Sequence, residues 1–283
     1  MILASHGILA SQIQSYVGLL DLYPSAAAAY SLRKLRAAYT GSAIRVRRTD
    51  LTEQNIGFDA LGNLDTTSLL AFTGTGALNN GFITTWYDQS GNANNATQTT
   101  ALQQPQIVSA GSVLLLGTKP CLYNNNASSN GLNFTSINSG NFTILYASRR
   151  DVAANSGSIL LTGNSLQQIG DNIDGGGNPV AYTNGECIGF SKNNTTKTGV
   201  SAATYHLAYL NRKDGNNAVG QFNNSTNSYV TGTTNSIVLN NIAGYGSGYS
   251  YTGYFQEFII YLSDNSANKS GLQSNINTYY GIY

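Results

Sequence analysis

Charge is scarce in this chain. Only 10% of its 283 residues are Asp, Glu, Lys or Arg, with 14 basic against 13 acidic side chains and a formal net charge of +1. An average soluble domain carries about 25% charged residues. A near-neutral chain lacks the surplus of cations that displaces counterions from nucleic acid, so nucleic acid is not an expected partner. Cysteine is nearly absent as well. Cys121 and Cys187 alone exclude a disulfide framework or a four-cysteine zinc site, and two buried thiols are the plainer expectation than one bridge. Histidine occurs twice, so a Ser-His-Asp or Cys-His triad would have to use His206, and no Gly-x-Ser-x-Gly elbow precedes a helix. No run approaches the roughly 18 apolar residues that cross a bilayer as a helix, so no membrane partner is expected. The first Lys or Arg is Arg33, and Ser5, His6 and Gly7 interrupt the apolar start, so no secretory signal is read.

Apolar and aromatic residues are plentiful. Hydrophobic residues make up 41% of the chain, including 19 Tyr and 9 Phe, which excludes a charge-solvated disordered chain. The polar surface must then come from amides and hydroxyls. Asparagine supplies 34 residues, the first of them Asn55, and glycine 31. Such an uncharged surface suits extracellular or virion proteins better than cytosolic enzymes.

Two regions are expected, an extended anchor over 1–24 and one domain over 25–283. Ile2, Leu3, Ile8, Leu9 and Ile13 would be wasted in water, so the opening reads as an assembly anchor that pairs with another chain, or else as a flexible tail. Pro24 to Tyr39 reads as a helix, with Ala28, Leu32, Leu35 and Tyr39 on one face and Gly41 as its stop. Ala43 to Arg48 alternates as a strand, with Ile44 and Val46 inward and Arg45, Arg47 and Arg48 outward. That basic cluster reads as a solvated edge, because no aromatic platform is interleaved with it.

Beyond residue 55 short strands alternate with Gly/Asn turns. The clearest are Gly81 to Tyr87, Phe142 to Ser148, Ser158 to Thr162, Tyr205 to Leu210, Ala218 to Phe222, Ser236 to Leu239 and Gly253 to Tyr261. A short amphipathic helix follows over Ser266 to Tyr280. Many strands with few helices point to an all-β sandwich of two antiparallel sheets.

Candidate chemistry is sparse. Asp171-Asn-Ile-Asp174 followed by three glycines is a carboxylate pair, a calcium loop or an Asx-rich turn. No cofactor is expected, calcium being the sole candidate. Asp88 to Asn94 places oxygen ligands at alternate positions but lacks a closing bidentate acid, so an Asx-turn is the plainer reading. Alternation in the last strand puts Phe255, Glu257 and Ile259 on one face, and Glu257 is expected to be buried beside an Arg or to sit at an edge. Tyr245, Tyr249, Tyr251 and Tyr254 lie along a Gly/Ser loop, where rigid rings with polar tips either stack on sugars and proteins or cap the end of the sandwich.

Two segments carry a family likeness. The first comprises Ala29-Tyr-Ser-Leu-Arg-Lys-Leu35, Ala43 to Arg48, Ile56-Gly-Phe-Asp59, Thr85-Trp-Tyr-Asp-Gln-Ser-Gly-Asn92, Ala96-Thr-Gln98 and Gln104-Pro-Gln-Ile-Val108. It resembles the opening of the catalytic domain of the α-L-arabinofuranosidase B family, and similar domains occur in bacteriophage structural proteins. The second, Gly253 to Ser263 followed by Leu272 to Gly281, is similar to the end of concanavalin A-like, laminin-G-like sandwiches. The resemblance implies a concanavalin A-like jelly roll over residues 25 to 283, with short N-terminal and C-terminal helices.

The resembled enzymes are retaining glycosidases, which need two carboxylates about 5 Å apart. The likeness implies a nucleophilic Glu soon after a hairpin like Phe142 to Leu161. Gly163-Asn-Ser-Leu-Gln167 stands there, with no acid between Asp151 and Asp171. The expectation is therefore a non-catalytic structural protein on the exposed surface of a bacteriophage virion. Its expected partners are other virion proteins, further copies of itself as an oligomer such as a trimer, and a host surface glycan. A retaining glycoside hydrolase of arabinofuranosidase type is the competing reading. Paired carboxylates among Asp171, Asp174, Asp214 and Glu257 would favour it.

Overall fold

The computed structural model describes residues 16–125, 131–151, 159–162, 168–170, 187–189, 205–213, 217–223, 229–232, 237–244 and 251–283. A one-turn helix α1 (Leu19–Leu22) precedes strands β1 (Ala28–Ser31), β2 (Ile44–Arg48) and β3 (Glu53–Ile56). Helix α2 (Thr66–Thr73) leads into β4 (Gly81–Trp86), β5 (Ala96–Thr97), β6 (Gln106–Ser109), β7 (Ser112–Val113), β8 (Leu115–Leu116), β9 (Lys119–Pro120) and β10 (Leu122–Asn125). Next come β11 (Leu132–Ser139), β12 (Phe142–Arg150), β13 (Ile159–Thr162), β14 (Gln168–Gly170) and β15 (Cys187–Gly189). The last strands are β16 (Tyr205–Arg212), β17 (Asn217–Phe222), β18 (Tyr229–Gly232), β19 (Ile237–Ile242) and β20 (Thr252–Tyr261), followed by helix α3 (Lys269–Tyr280).

Strand β20 is the axis of one layer. One of its edges pairs with β12, which continues through β16 and β17 to β18. Its other edge is shared by β1 along the C-terminal half and β10 along the N-terminal half. The second layer starts at β3–β2–β4 and passes through β5 and β11 to β19, β13, β14 and β15. Strand β6 pairs with both β4 and β10 and joins the layers into one curled surface. Pairing is antiparallel except between β14 and β15. The all-β sandwich expected from the sequence is what the chain builds.

Two cores explain the sequence pattern of β12 and β20. Between the layers, Trp86 lies within 5.9 Å of the rings of Tyr30, Phe255 and Phe258, and Phe142, Tyr146 and Leu210 join them. On the opposite face, Leu145, Leu207, Tyr209, Ile259 and Tyr261 pack with Leu272, Ile276 and Tyr280 of α3 and with Leu19 and Leu20 of α1. Central strands buried on both faces read as continuous apolar runs, as Phe258 to Tyr261 does. Within the expected 1–24 anchor, the described part is therefore a helix seated on α3. Cys121 is a buried free thiol.

The helix expected over Pro24 to Tyr39 does not form; Ala28–Ser31 is a strand. Its residues alternate between the cores, Ala28, Tyr30 and Leu32 inward and Ala29 and Leu35 outward. Four hydrogen-bonded partners on β20 outweigh the helix propensity of an alanine run. Helix α2 was not expected. It forms because Asp65 caps it, accepting from the Ser68 N–H at 2.9 Å. The C-terminal helix falls where the sequence places it and ends on Gly281 in the left-handed region at φ 64°.

Candidate functional site

The segment with the strongest family likeness is architecture. Just past β4, the nearly buried Asp88 carboxylate takes four donors. Oδ1 accepts from the N–H groups of Ala29 and Ser90 at 2.8 and 2.9 Å, and Oδ2 from the Ser90 hydroxyl at 2.7 Å and the Asn94 N–H at 3.0 Å. Gln89 is fully buried. Its Nε2 donates to the carbonyls of Ser31 and Arg33, both at 3.0 Å, and its Oε1 accepts from the Leu35 N–H at 2.8 Å. Asn92 donates to the carbonyls of Ala26 and Ala27. The turn thus clamps residues 26–35, which explains why the two motif segments occur together. With both oxygens of Asp88 engaged, the Asx-turn reading holds and the calcium-loop reading of this stretch does not.

Of the four acids named for a possible catalytic pair, Glu257 alone lies among the described residues, and it too is structural. The β12–β20 register steps from Ala147 opposite Glu257 to Ser148 opposite Phe255, which leaves Gln256 as a bulge. Strict alternation therefore fails here. Phe255 and Phe258 both reach the inter-layer core, while Glu257 turns to the α3 side. Its carboxylate, with no exposed surface, holds Arg33 bidentately at 2.8 and 2.9 Å and accepts from Ser31 at 2.8 Å and Tyr280 at 3.1 Å. The Arg33 guanidinium lies 4.8 Å from the Tyr279 ring centroid. Burial alone would lower the pKa of Arg33, but Glu257 beside it raises it above the ordinary value.

The remaining described acids are also engaged. Asp21 caps α1 and accepts from the Ala37 N–H, Asp59 closes a turn with Leu61 and Asn63, and Asp65 and Asp264 cap helical turns. Asp50, Glu53 and Asp151 pair with Arg48, Arg45 and Arg149. The basic cluster read as a solvated edge is thereby satisfied within the chain, since Arg47 donates to Gln104 and to the carbonyls of Arg48 and Ala101. Among the described residues no group of His, Cys, Asp and Glu could hold a metal ion. No described helix is long and apolar enough to cross a membrane. Four of the thirteen acids, Asp171, Asp174, Glu186 and Asp214, lie outside the described residues, as do Ile2, Leu3, Ile8, Leu9, Ile13, Tyr245 and Tyr249.

Of the four tyrosines expected to form one binding loop, Tyr251 is a core residue, fully buried with its ring 6.5 Å from Phe255. Tyr254 is half-buried and belongs to a different surface. Cross-strand partners align a row across six strands. Arg47 stands opposite Phe82, Phe82 opposite Gln106, Gln106 opposite Tyr123, Tyr123 opposite Tyr254, and Tyr254 opposite Arg149. Directly opposed residues share a face. Their chain neighbours Val46, Ile83, Ile107, Leu122 and Phe255 point into the core, so the row points away from it.

The row is braced along its length. Arg47 lies 4.7 Å from the Phe82 centroid, Tyr123 and Tyr254 are 4.7 Å apart, and Arg149 lies 4.5 Å over Tyr254 while bound to Asp151 at 3.0 Å. Over Gln106, between Phe82 and Tyr123, opens a cleft of about 410 Å³ whose lining includes Gln104 and Asn125. Leu51 and Leu102, 67% and 89% exposed, also line it. Burial, and after it the Asp151 carboxylate, raises the pKa of Tyr123 and Tyr254 above the usual phenol value, so both hydroxyls are donors at neutral pH. Sequence reasoning found Tyr254 but missed Phe82, Gln106 and Tyr123. They become neighbours only through strand pairing, and no local motif marks them.

Comparison with known proteins gives a fold. The chain matches a glutamine-for-glutamate mutant of a GH54 α-L-arabinofuranosidase soaked with 4-nitrophenyl α-L-arabinofuranoside, at 17% identity and a TM-score of 0.62. It also matches an arabinofuranosidase complexed with arabinofuranosyl-α-1,2-xylobiose at 17% identity and 0.64, and a GH54 α-L-arabinofuranosidase soaked with a cyclic sulfate inhibitor at 16% and 0.60. Each match covers 93% of this chain and 65 to 66% of the other, so the chain spans just under two thirds of their length. No protein-family model matches the chain, and no curated protein sequence does. These neighbours overturn the expectation of a non-enzyme. That expectation rested on one Glu missing near Gly163, whereas the fold shared over nearly the whole chain is one that glycoside hydrolases use.

Proposed function

We propose that this chain is a retaining glycoside hydrolase domain acting on α-L-arabinofuranosides. The observation that carries the reading is the match to arabinofuranosidases over 93% of the chain. The Asp88-Gln89 clamp supports it, since the motif that resembles that family also holds this architecture together. Retaining hydrolysis needs one carboxylate to attack the anomeric carbon and a second, protonated, to deliver its proton to the leaving oxygen. Water then releases the sugar while the second group takes a proton back. The described acids are engaged in caps, turns and ion pairs, so the pair is drawn from Asp171, Asp174, Glu186 and Asp214.

The test is release of 4-nitrophenol from 4-nitrophenyl α-L-arabinofuranoside by the parent chain and by Asp171→Asn, Asp174→Asn, Glu186→Gln and Asp214→Asn. Two variants are expected to lose roughly 10²- to 10⁴-fold in kcat/KM while the others stay close to the parent. Azide should restore turnover in the acid/base variant. An inactive, folded parent, or four variants that all keep parental rates, would sink the reading.

A further inference from the structure

The described lining of the slot over Gln106 combines aromatic rings, side-chain amides and exposed leucines. Its walls are the rings of Phe82 and Tyr123, and its floor is the residue between them in the cross-strand row. We propose that this slot binds one ring of a neutral oligosaccharide chain. The inference stands on the slot itself and does not depend on hydrolysis.

Spacing selects the ligand. Neighbouring strands lie about 4.8 Å apart, so walls two strands apart stand roughly 9.5 Å apart at their base. A flat heteroaromatic ring in van der Waals contact with both walls fills only about 7 to 8 Å. A puckered saturated ring with axial hydrogens fills the rest, and its C–H faces meet the aromatic faces. Both walls are braced, Phe82 by Arg47, which itself lines the cleft, and Tyr123 by Tyr254, so little side-chain freedom is lost when a ligand enters.

Charge selects a neutral sugar. Arg47 is engaged by Gln104 and two backbone carbonyls, and Arg149 is paired with Asp151. Among the described residues, the one cation lining the slot, Arg47, is thus already engaged. For hydroxyls it offers the protonated phenol of Tyr123 and the Gln106 Oε1, since the Gln106 Nε2 already donates to Asn80 and Val108. The exposed Leu51 and Leu102 add an apolar rim at the cleft, where water is displaced on binding.

Affinity electrophoresis of the full chain through gels holding soluble arabinoxylan, β-glucan or polygalacturonate tests this, with xylohexaose titrations to give Kd. The parent should be retarded by a neutral polymer and not by polygalacturonate. Phe82→Ala and Tyr123→Ala should each weaken binding about tenfold or more, about 1.4 kcal/mol, and Tyr123→Phe by less than about threefold. Leu78→Ala, at an exposed position that does not line the slot, should match the parent. Should a ring deletion fail to fold, Gln106→Ala decides the matter and is expected to weaken binding. No retardation by any neutral polymer, undiminished binding in folded ring variants, or preference for polygalacturonate overturns the proposal. Because the readout is binding, failure of the hydrolysis assay leaves this result independent.

Discussion

Glu257 shows what one buried charge does in this molecule. It meets Arg33 across 224 residues of sequence and closes a hydrogen-bonded group with Ser31 and Tyr280, so β1, β20 and α3 share one polar centre. Removing one member of such a pair strands the other in a low-dielectric interior. Glu257→Gln is expected to lower unfolding stability by about 3 to 5 kcal/mol, whereas replacing Arg33 and Glu257 together with Met and Leu should cost less than the single change. Urea titrations of the parent and the two variants measure this, and a single variant as stable as the parent would refute it. The sequence pointed to a buried Glu beside an Arg but could not name which Arg, because the distance between them is closed only by the fold. Tyr251 was illegible for a related reason. A tyrosine beside Gly and Ser reads as a loop ring, yet this one packs against Phe255 in the core.

Among elements, the turn after β4 does the work of a strand neighbour. Gln89 satisfies two carbonyls and one N–H of residues 31–35, all buried where water cannot replace them. Gln89→Ala is expected to lose roughly 2 to 3 kcal/mol, seen as a lower urea midpoint with an unchanged slope. A larger slope change would mean that residues 26–35 detach before the rest. The strands were legible where one face is buried, as in β2, where Ile44 and Val46 point inward as expected. Ala28–Ser31 was not, because an alanine run with a single tyrosine carries no clear period of its own and takes its shape from β20. The bulge at Gln256 was hidden too, since one extra residue in a strand buried on both faces breaks no visible alternation. The aromatic row is the same lesson at a surface, with one residue from each strand joined only by register.

For the whole molecule, tyrosine dominates the response to alkali. Burial raises the pKa of Tyr30, Tyr205, Tyr209, Tyr261, Tyr279 and Tyr280 above the usual phenol value, and pushes Tyr39 up to about 12. Below pH 10, the unfolded value, both states hold these protons, so their contribution to stability is complete. Above it the unfolded chain ionises first, and stability falls as pH rises through the folded values. Urea midpoints should therefore hold steady from pH 8 to 9.5 and drop steeply from 10 to 12. A flat profile to pH 12 would show that the rings are solvated. Strand β20 carries a separate consequence, for how the molecule is made. Its neighbours are β1 and β10 on one edge and β12 on the other, and all three leave the ribosome long before residue 261 does. Until then the edges that await it are exposed, apolar and ready to pair with another chain. Completion of this sheet must therefore wait on β20, which makes it slow, dominated by distant contacts and sensitive to crowding by its own nascent copies.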